Sequence, residues 1–65
     1  MPNACDPIPK VYGPDATTNA CVDAVYDVYL AALGNCGGNE ACCRGAKTNY
    51  LNAWAQCTGS EHPDA

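Results

Sequence analysis

The sequence has no phenylalanine, one tryptophan, one histidine and only three basic residues in 65 positions. Nucleic-acid binding needs clustered positive charge, so a net charge of −4 argues against that class of protein. The longest aliphatic run covers only residues 30–33, and no segment is predicted to span a membrane. The pattern of a secretion signal is also missing, and Met1 is either native or replaces a removed leader.

Cysteine is the residue present in excess, with six copies in a chain that is long enough for one domain only. A hydrophobic core this small rarely stabilises a fold without covalent cross-links. The cysteines therefore predict three disulfides and an oxidising compartment. Free buried thiols and a zinc site are the alternatives. Zinc is disfavoured because paired C-x₂-C spacings are missing and the only histidine, His62, lies in a polar tail.

The chain divides into an arm, two helices and a tail. Residues 1–16 hold four of the five prolines, and proline fixes φ and removes a donor, which predicts an extended arm. Residues 17–35 and 40–57 are predicted to form α-helices, and residues 58–65 are predicted to form a flexible tail. The predicted fold class is therefore all-α, in a single domain.

Capping residues support both helices. Asn39 is predicted to cap the second helix and Gly59 to end it, while Gly37 and Gly38 end the first. The candidate caps of the first helix are Asp15, Thr17 and Thr18.

The two helices are copies of one pattern, A-C-x₇-Y-L-x-A-x₃-C, offset by 21 residues. Cys21 falls on Cys42 and Cys36 falls on Cys57. An internal repeat of this kind defines the architecture, because the two copies must pack against each other to bury their apolar faces.

The helical spacing predicts the disulfides. At about 100° per residue, each helix carries a stripe that begins and ends with cysteine and holds mainly small residues between. The stripes are Cys21, Val25, Val28, Ala32 and Cys36, and Cys42, Ala46, Asn49 or Tyr50, Ala53 and Cys57. A short turn forces an antiparallel hairpin, which pairs Cys21–Cys57 and Cys36–Cys42. Cys5–Cys43 remains, and it would pin the arm across one flank of the hairpin.

The two flanks of this hairpin differ in polarity. The flank under the arm is apolar and consists of Val22, Tyr29, Leu33, Tyr50 and Trp54. The opposite flank is predicted to be solvated and consists of Asp23, Asp27, Asn35, Arg44, Thr48, Asn52 and Gln56.

The sequence predicts neither catalysis nor a cofactor. Ser60 and His62 lie two positions apart in the tail, which is a poor setting for a nucleophile and its base. The adjacent Cys42 and Cys43 would suit a redox couple, but structural bridges to two different partners are the stronger interpretation. No metal site is predicted, and the chain is predicted not to be an enzyme.

Apolar side chains left over on the helices predict a contact patch, defined here as Tyr26, Leu30, Leu51 and Trp54. Exposed tyrosine and leucine on a rigid surface are typical of protein contacts. The alternative is that the arm covers these side chains. A hairpin with pseudo-two-fold symmetry also suits a symmetric homodimer.

The architecture resembles several known families, and the similarity to the third of them covers residues 5–57. Two bridged antiparallel helices are similar to the twin-CX₉C proteins of the mitochondrial intermembrane space, although the spacing here is C-x₁₄-C. The adjacent cysteines and the proline-rich start are faintly similar to plant lipid-transfer proteins, whose C-x-C and fourth bridge are missing here. Size, acidity and three bridges resemble the water-borne pheromones of the ciliate Euplotes. That resemblance implies a secreted ligand that binds a receptor and associates with itself.

The predicted function is accordingly recognition by a secreted, non-enzymatic protein, such as a signalling ligand, pheromone or toxin, through a rigid apolar and aromatic face. One alternative is a structural protein that assembles through the same face. Another is an assembly factor of the mitochondrial intermembrane space. The expected partner is a protein, either a receptor or a second copy of the chain, and not a nucleic acid.

Overall fold

A computed structural model describes residues 3–65, so Met1 and Pro2 of the predicted arm lie outside the described residues. Helix α1 covers Asn19–Asn35 and helix α2 covers Glu40–Thr58, with a 3₁₀ turn at Ala16–Thr18 before α1. The all-α hairpin is confirmed, and within residues 3–65 the chain forms no strand. The first helix begins later than predicted because its first turn is wound as the 3₁₀ turn.

Side-chain caps begin both helical segments. The Asp15 carboxylate accepts the N–H of Thr17 at 3.0 Å and so starts the 3₁₀ turn. The Asn39 side chain accepts the N–H of Cys42 at 2.9 Å and caps α2, as predicted. Each cap satisfies an amide that has no partner within its own helix.

Three glycines adopt the left-handed conformation at the helix ends. Gly37 and Gly38 have φ of 59° and 83° in the turn between the helices, and Gly59 has φ of 70° after α2. Other residues rarely adopt these angles, which explains why glycine occupies the positions that end each helix.

All three predicted disulfides are present, and each has Cα atoms separated by a distance typical of a bridge. The pairs are Cys5–Cys43 at 5.0 Å, Cys21–Cys57 at 5.7 Å and Cys36–Cys42 at 5.5 Å. Two of them join α1 to α2 near the two ends of the hairpin, and the third ties the arm to α2.

The core lies between the hairpin and the arm, on the flank that the sequence predicts. Its buried members are Val22, Tyr29, Leu33, Cys43, Ala46, Tyr50 and Trp54. Ile8 and Val11 of the arm pack against this cluster. The rings of Tyr29 and Tyr50 stack at 4.8 Å between centroids and join the two helices in the middle of the core.

The cysteine-bounded stripes do not pack tightly against each other, because most of their residues remain partly exposed. Ala46 is buried, but Val25, Ala32 and Ala53 are only half-buried, and Val28 is 70% exposed. The large tyrosine rings stack on the arm side of the helix pair, so the tight packing lies there and the stripes border an open surface.

The tail is also placed differently from the prediction. Instead of a free polar segment, residues 59–65 turn back onto α2 and bury His62, which is 2% exposed. Its imidazole packs against the rings of Trp54 and Tyr50, so the tail contributes a side chain to the core.

Candidate functional site

The predicted contact patch is not one exposed surface, and Trp54 must be removed from it. Trp54 is 3% exposed, and its indole Nε1–H donates to the main-chain oxygen of Val11 at 2.7 Å. The arm and His62 enclose this ring. The prediction that Trp54 contacts a partner is therefore a misassignment of a core residue.

The other patch residues are held partly by the arm. The Tyr26 hydroxyl donates to the main-chain oxygen of Ile8 at 2.7 Å, and its ring packs on Tyr29 and Tyr50. Leu51 is half-buried against the core, and Leu30 is 38% exposed. The structure thus leaves Leu30 as the most exposed member of the patch, because the arm satisfies the tyrosine hydroxyl and covers the rings.

Val28, whose exposed fraction is the highest among the large apolar side chains, lies on the opposite side of α1 from Leu30, in a shallow groove between the two helices. We call this the open groove. It encloses about 250 Å³ and is bordered by Val25, Val28, Ala32, Asn49 and Ala53, with Tyr29, Ala46 and Tyr50 beneath. Val28 lies in the middle of α1 and is 70% exposed, whereas valine side chains are usually buried.

The open groove is free of formally charged side chains, in a chain whose net charge is −4. No aspartate, glutamate, lysine, arginine or histidine side chain lines it. At about 100° per residue, the positions next to Val28 on α1 are Ala24, Ala31 and Asn35, and those next to Asn49 on α2 are Gly45, Asn52 and Gln56. The charged residues of the two helices therefore lie on other faces of α1 and α2.

The arm is fastened to α1 by a small polar cluster around Asp23. Lys10 Nζ donates to the Asp23 carboxylate at 2.8 Å, and the Tyr12 hydroxyl donates to the same oxygen at 2.9 Å. The hydrogen bond from Lys10, with that from Tyr12, lowers the pKa of Asp23, and the same contact raises the pKa of Lys10. Asp23 therefore binds the arm, whereas the sequence placed it on the solvated flank.

A second cleft lies beside the start of the arm but offers no convergent chemistry. It encloses about 380 Å³ and mixes both signs of charge, with Asp6, Glu40, Arg44 and Lys47 in its walls. Arg44 and Glu40 form a loose surface pair at 3.9 Å, one helical turn apart. Such exposed pairs contribute little and specify no ligand.

The residues with catalytic or ligating side chains are dispersed. His62 Nδ1 accepts the N–H of Asp64 at 3.0 Å, while Ser60 makes main-chain contacts with the Thr58 hydroxyl. Within residues 3–65, no group of three or more histidine, cysteine or acidic side chains gathers in a metal-binding arrangement. The six cysteines are all bridged.

The geometry defines a small, disulfide-stapled, all-α protein with one uncharged apolar groove. The sequence matches no protein-family model, and comparison with curated proteins and with solved structures gives no match. The fold and the groove are thus the basis for a functional assignment.

Sequence reasoning missed the open groove because it assigned Val25 and Val28 to the contact between the helices. One signal could have located it. Asn49 occupies the position opposite this part of α1 in an otherwise apolar stripe, and a polar amide at such a position is typical of solvent exposure.

Proposed function

We propose that this protein is a secreted, non-enzymatic recognition protein that binds a partner protein through the open groove. The observation that supports this most directly is the exposure of Val28 at the centre of an uncharged apolar groove, in a chain whose net charge is −4. Exposed apolar surface bordered by polar residues marks contact sites in small proteins.

The scaffold supports this role because disulfides join the two helices at both ends of the groove. These bridges are Cys21–Cys57 and Cys36–Cys42. Fixed helices lose little conformational entropy when a partner binds, so more of the contact free energy appears as affinity.

The partner that best fits the groove is an α-helix with an apolar, uncharged stripe. A groove between two helices accepts a third helix by packing ridges into grooves. The short side chains of Ala32 and Ala53 permit close approach, and Val28 would insert between residues of the incoming helix. A partner stripe carrying charge would lose hydration without gaining an ion pair.

The three bridges support a location outside the reducing cytosol. Secretion is the location that we propose, with the mitochondrial intermembrane space as the alternative. Neither helix is sufficiently long and apolar to cross a membrane, as judged over the described part of the chain. A signalling ligand, a pheromone and a toxin are all roles of the proposed kind.

The test is an NMR titration of the ¹⁵N-labelled protein with a synthetic helical peptide that carries an uncharged leucine and alanine stripe. Amide shifts should change at Val25, Val28, Ala32 and Ala53 and remain unchanged in the arm. The matched peptide with lysine in its stripe should not bind. Shifts spread over the arm, or equal binding of both peptides, would overturn the assignment of the groove.

Two variants localise the effect. Val28→Asp places a charge in the groove and should abolish peptide binding, whereas Leu30→Asp places the same charge on the other side of α1 and should retain it. Analytical ultracentrifugation without peptide addresses the alternative of self-assembly. A dimer that Val28→Asp dissociates would show that a second copy occupies the groove.

A further inference from the structure

The tail inserts the single histidine of the chain into the core. His62 is 2% exposed, and its imidazole meets the rings of Trp54 and Tyr50 edge-on, at centroid distances of 4.7 and 5.7 Å. Every hydrogen bond of the tail is made within residues 54–65. Beyond these local hydrogen bonds at the end of α2, the packing of His62 on Tyr50 and Trp54 holds the tail against the helix.

The surroundings of both imidazole nitrogens favour the uncharged form of the ring. Nδ1 accepts the main-chain N–H of Asp64 at 3.0 Å, so it bears the lone pair and the proton lies on Nε2. Nε2 is buried and has no hydrogen-bond partner among residues 3–65. A second proton would add an N–H at Nδ1 directly against the N–H of Asp64, and it would leave a charge in the core with no acceptor to stabilise it.

The charged groups around His62 do not compensate for this arrangement. Burial is the largest influence and lowers the pKa of His62, Asp64 of the tail raises it, and Lys47 of α2 lowers it to a smaller extent, so the nearby charges offset burial only in part. Glu61 precedes His62 in the tail. From the arm, Lys10 acts on the neighbouring Tyr50 but is itself bound to Asp23 at 2.8 Å.

The covalent framework ends before the tail begins. Cys57 is the last cysteine of the chain, and its bridge to Cys21 fixes the end of α2 whether or not the tail is attached. Residues 58–65 follow the last bridge, and of these 59–65 lie beyond the end of α2, so they can detach without breaking a disulfide.

We propose that His62 is an acid-released latch: protonation of its imidazole frees residues 59–65 from α2 and exposes Trp54 and Tyr50, while the bridged hairpin stays folded. This inference does not depend on the proposed binding to the open groove, although Tyr50 lies beneath that groove as well. Acidification would then present a second, aromatic surface that is covered at neutral pH.

The test uses the whole chain and its two unique probes, the fluorescence of Trp54 and the imidazole NMR resonance of His62, between about pH 7.5 and pH 4.5. The resonance should titrate below the usual histidine value of about 6.5. Over the same range, acrylamide quenching of Trp54 should rise several-fold, while the far-ultraviolet circular dichroism of the helices stays constant. Helix loss in step with the quenching would overturn the latch.

Three variants separate the latch from other titrations. His62→Phe retains an aromatic ring and removes the ionisable group, so quenching should stay low at every pH. His62→Ala removes the ring and should give high quenching already at neutral pH. Asp64→Asn keeps the main-chain donor and should retain the transition. A transition in His62→Phe, or a Trp54 that stays protected when His62 is protonated, would refute the proposal.

Discussion

The indole N–H of Trp54 donates to the main-chain oxygen of Val11 at 2.7 Å, across 43 positions of sequence. This bond connects the middle of the arm to α2. Together with Cys5–Cys43 near the start of the arm and the Asp23 cluster, which binds both neighbours of Val11, it holds an otherwise extended segment over the core. The arm therefore behaves as a third layer of the fold.

Replacing Trp54 with phenylalanine should show the value of this bond. The change removes the donor, leaves the Val11 oxygen without its partner, and should lower the free energy of unfolding by about 1–3 kcal/mol. Tyr12→Phe is the control. It removes the hydroxyl that donates to Asp23, but at an exposed site, so its effect on the free energy of unfolding should stay within about 0.5 kcal/mol. Denaturant unfolding measures both, and equal losses would contradict this account.

Gly13 should be sensitive to substitution for a steric reason. A Cβ at this position would lie 2.5 Å from Thr58 Cγ2 and 3.2 Å from Thr18 Oγ1, so Gly13→Ala must displace the arm or the end of α2. We expect a loss of about 1–3 kcal/mol in the free energy of unfolding, as for other overpacked sites.

Gly45→Ala is the matched control for Gly13→Ala. Gly45 lies within α2, and its Cβ would meet no atom within 4 Å. Alanine is favoured over glycine inside a helix, so this variant should gain up to about 1 kcal/mol. We expect Gly13→Ala to lower the melting temperature and Gly45→Ala to raise it. This difference in sign would confirm that the arm packs closely against the end of α2 at Gly13.

The bridges should differ in their contribution to stability. Cys5–Cys43 closes a separation of 38 residues and Cys36–Cys42 closes only 6. Loop entropy predicts losses of about 4 and about 2 kcal/mol when each pair is replaced by alanine. Urea unfolding of the two double variants tests the order, and a larger loss for the short loop would show that native packing outweighs chain entropy.

Asp23 gives a prediction in acid. The hydrogen bonds from Lys10 and Tyr12 lower the pKa of its carboxyl in the folded state below the ordinary value. The contact therefore stabilises the protein above the unfolded-state pKa and is lost as pH falls through the folded-state pKa. Asp23→Asn should flatten this part of the curve of stability against pH, measured from about pH 5 downward. An unchanged curve would show that the cluster does not couple to folding.

The sequence predicted most of the fold because its strongest signals are local and covalent. The repeat aligns Cys21 with Cys42, the glycine turn is too short for any but an antiparallel pair, and Cys5 was then the remaining partner of Cys43. These constraints leave one arrangement of the bridges. The apolar flank under the arm followed from the same helical spacing.

The site was predicted less well, because exposure depends on how bulky rings and main-chain acceptors combine in three dimensions. Nothing in the composition of the arm shows that the Val11 oxygen meets Trp54 or that the Ile8 oxygen meets Tyr26. His62 lies among polar residues, which is the usual pattern of a solvated tail, and only the folded chain reveals its place among the aromatic rings.

The bridge across the inter-helix turn has a consequence for proteolysis. Cys36 and Cys42 stand on either side of residues 37–41, so a single cut of the peptide chain there releases no fragment. The two pieces stay joined at all three bridges, and the nicked molecule differs from the intact one by the mass of one water until a reductant is added. Gel mobility without reductant would therefore conceal such damage in this protein.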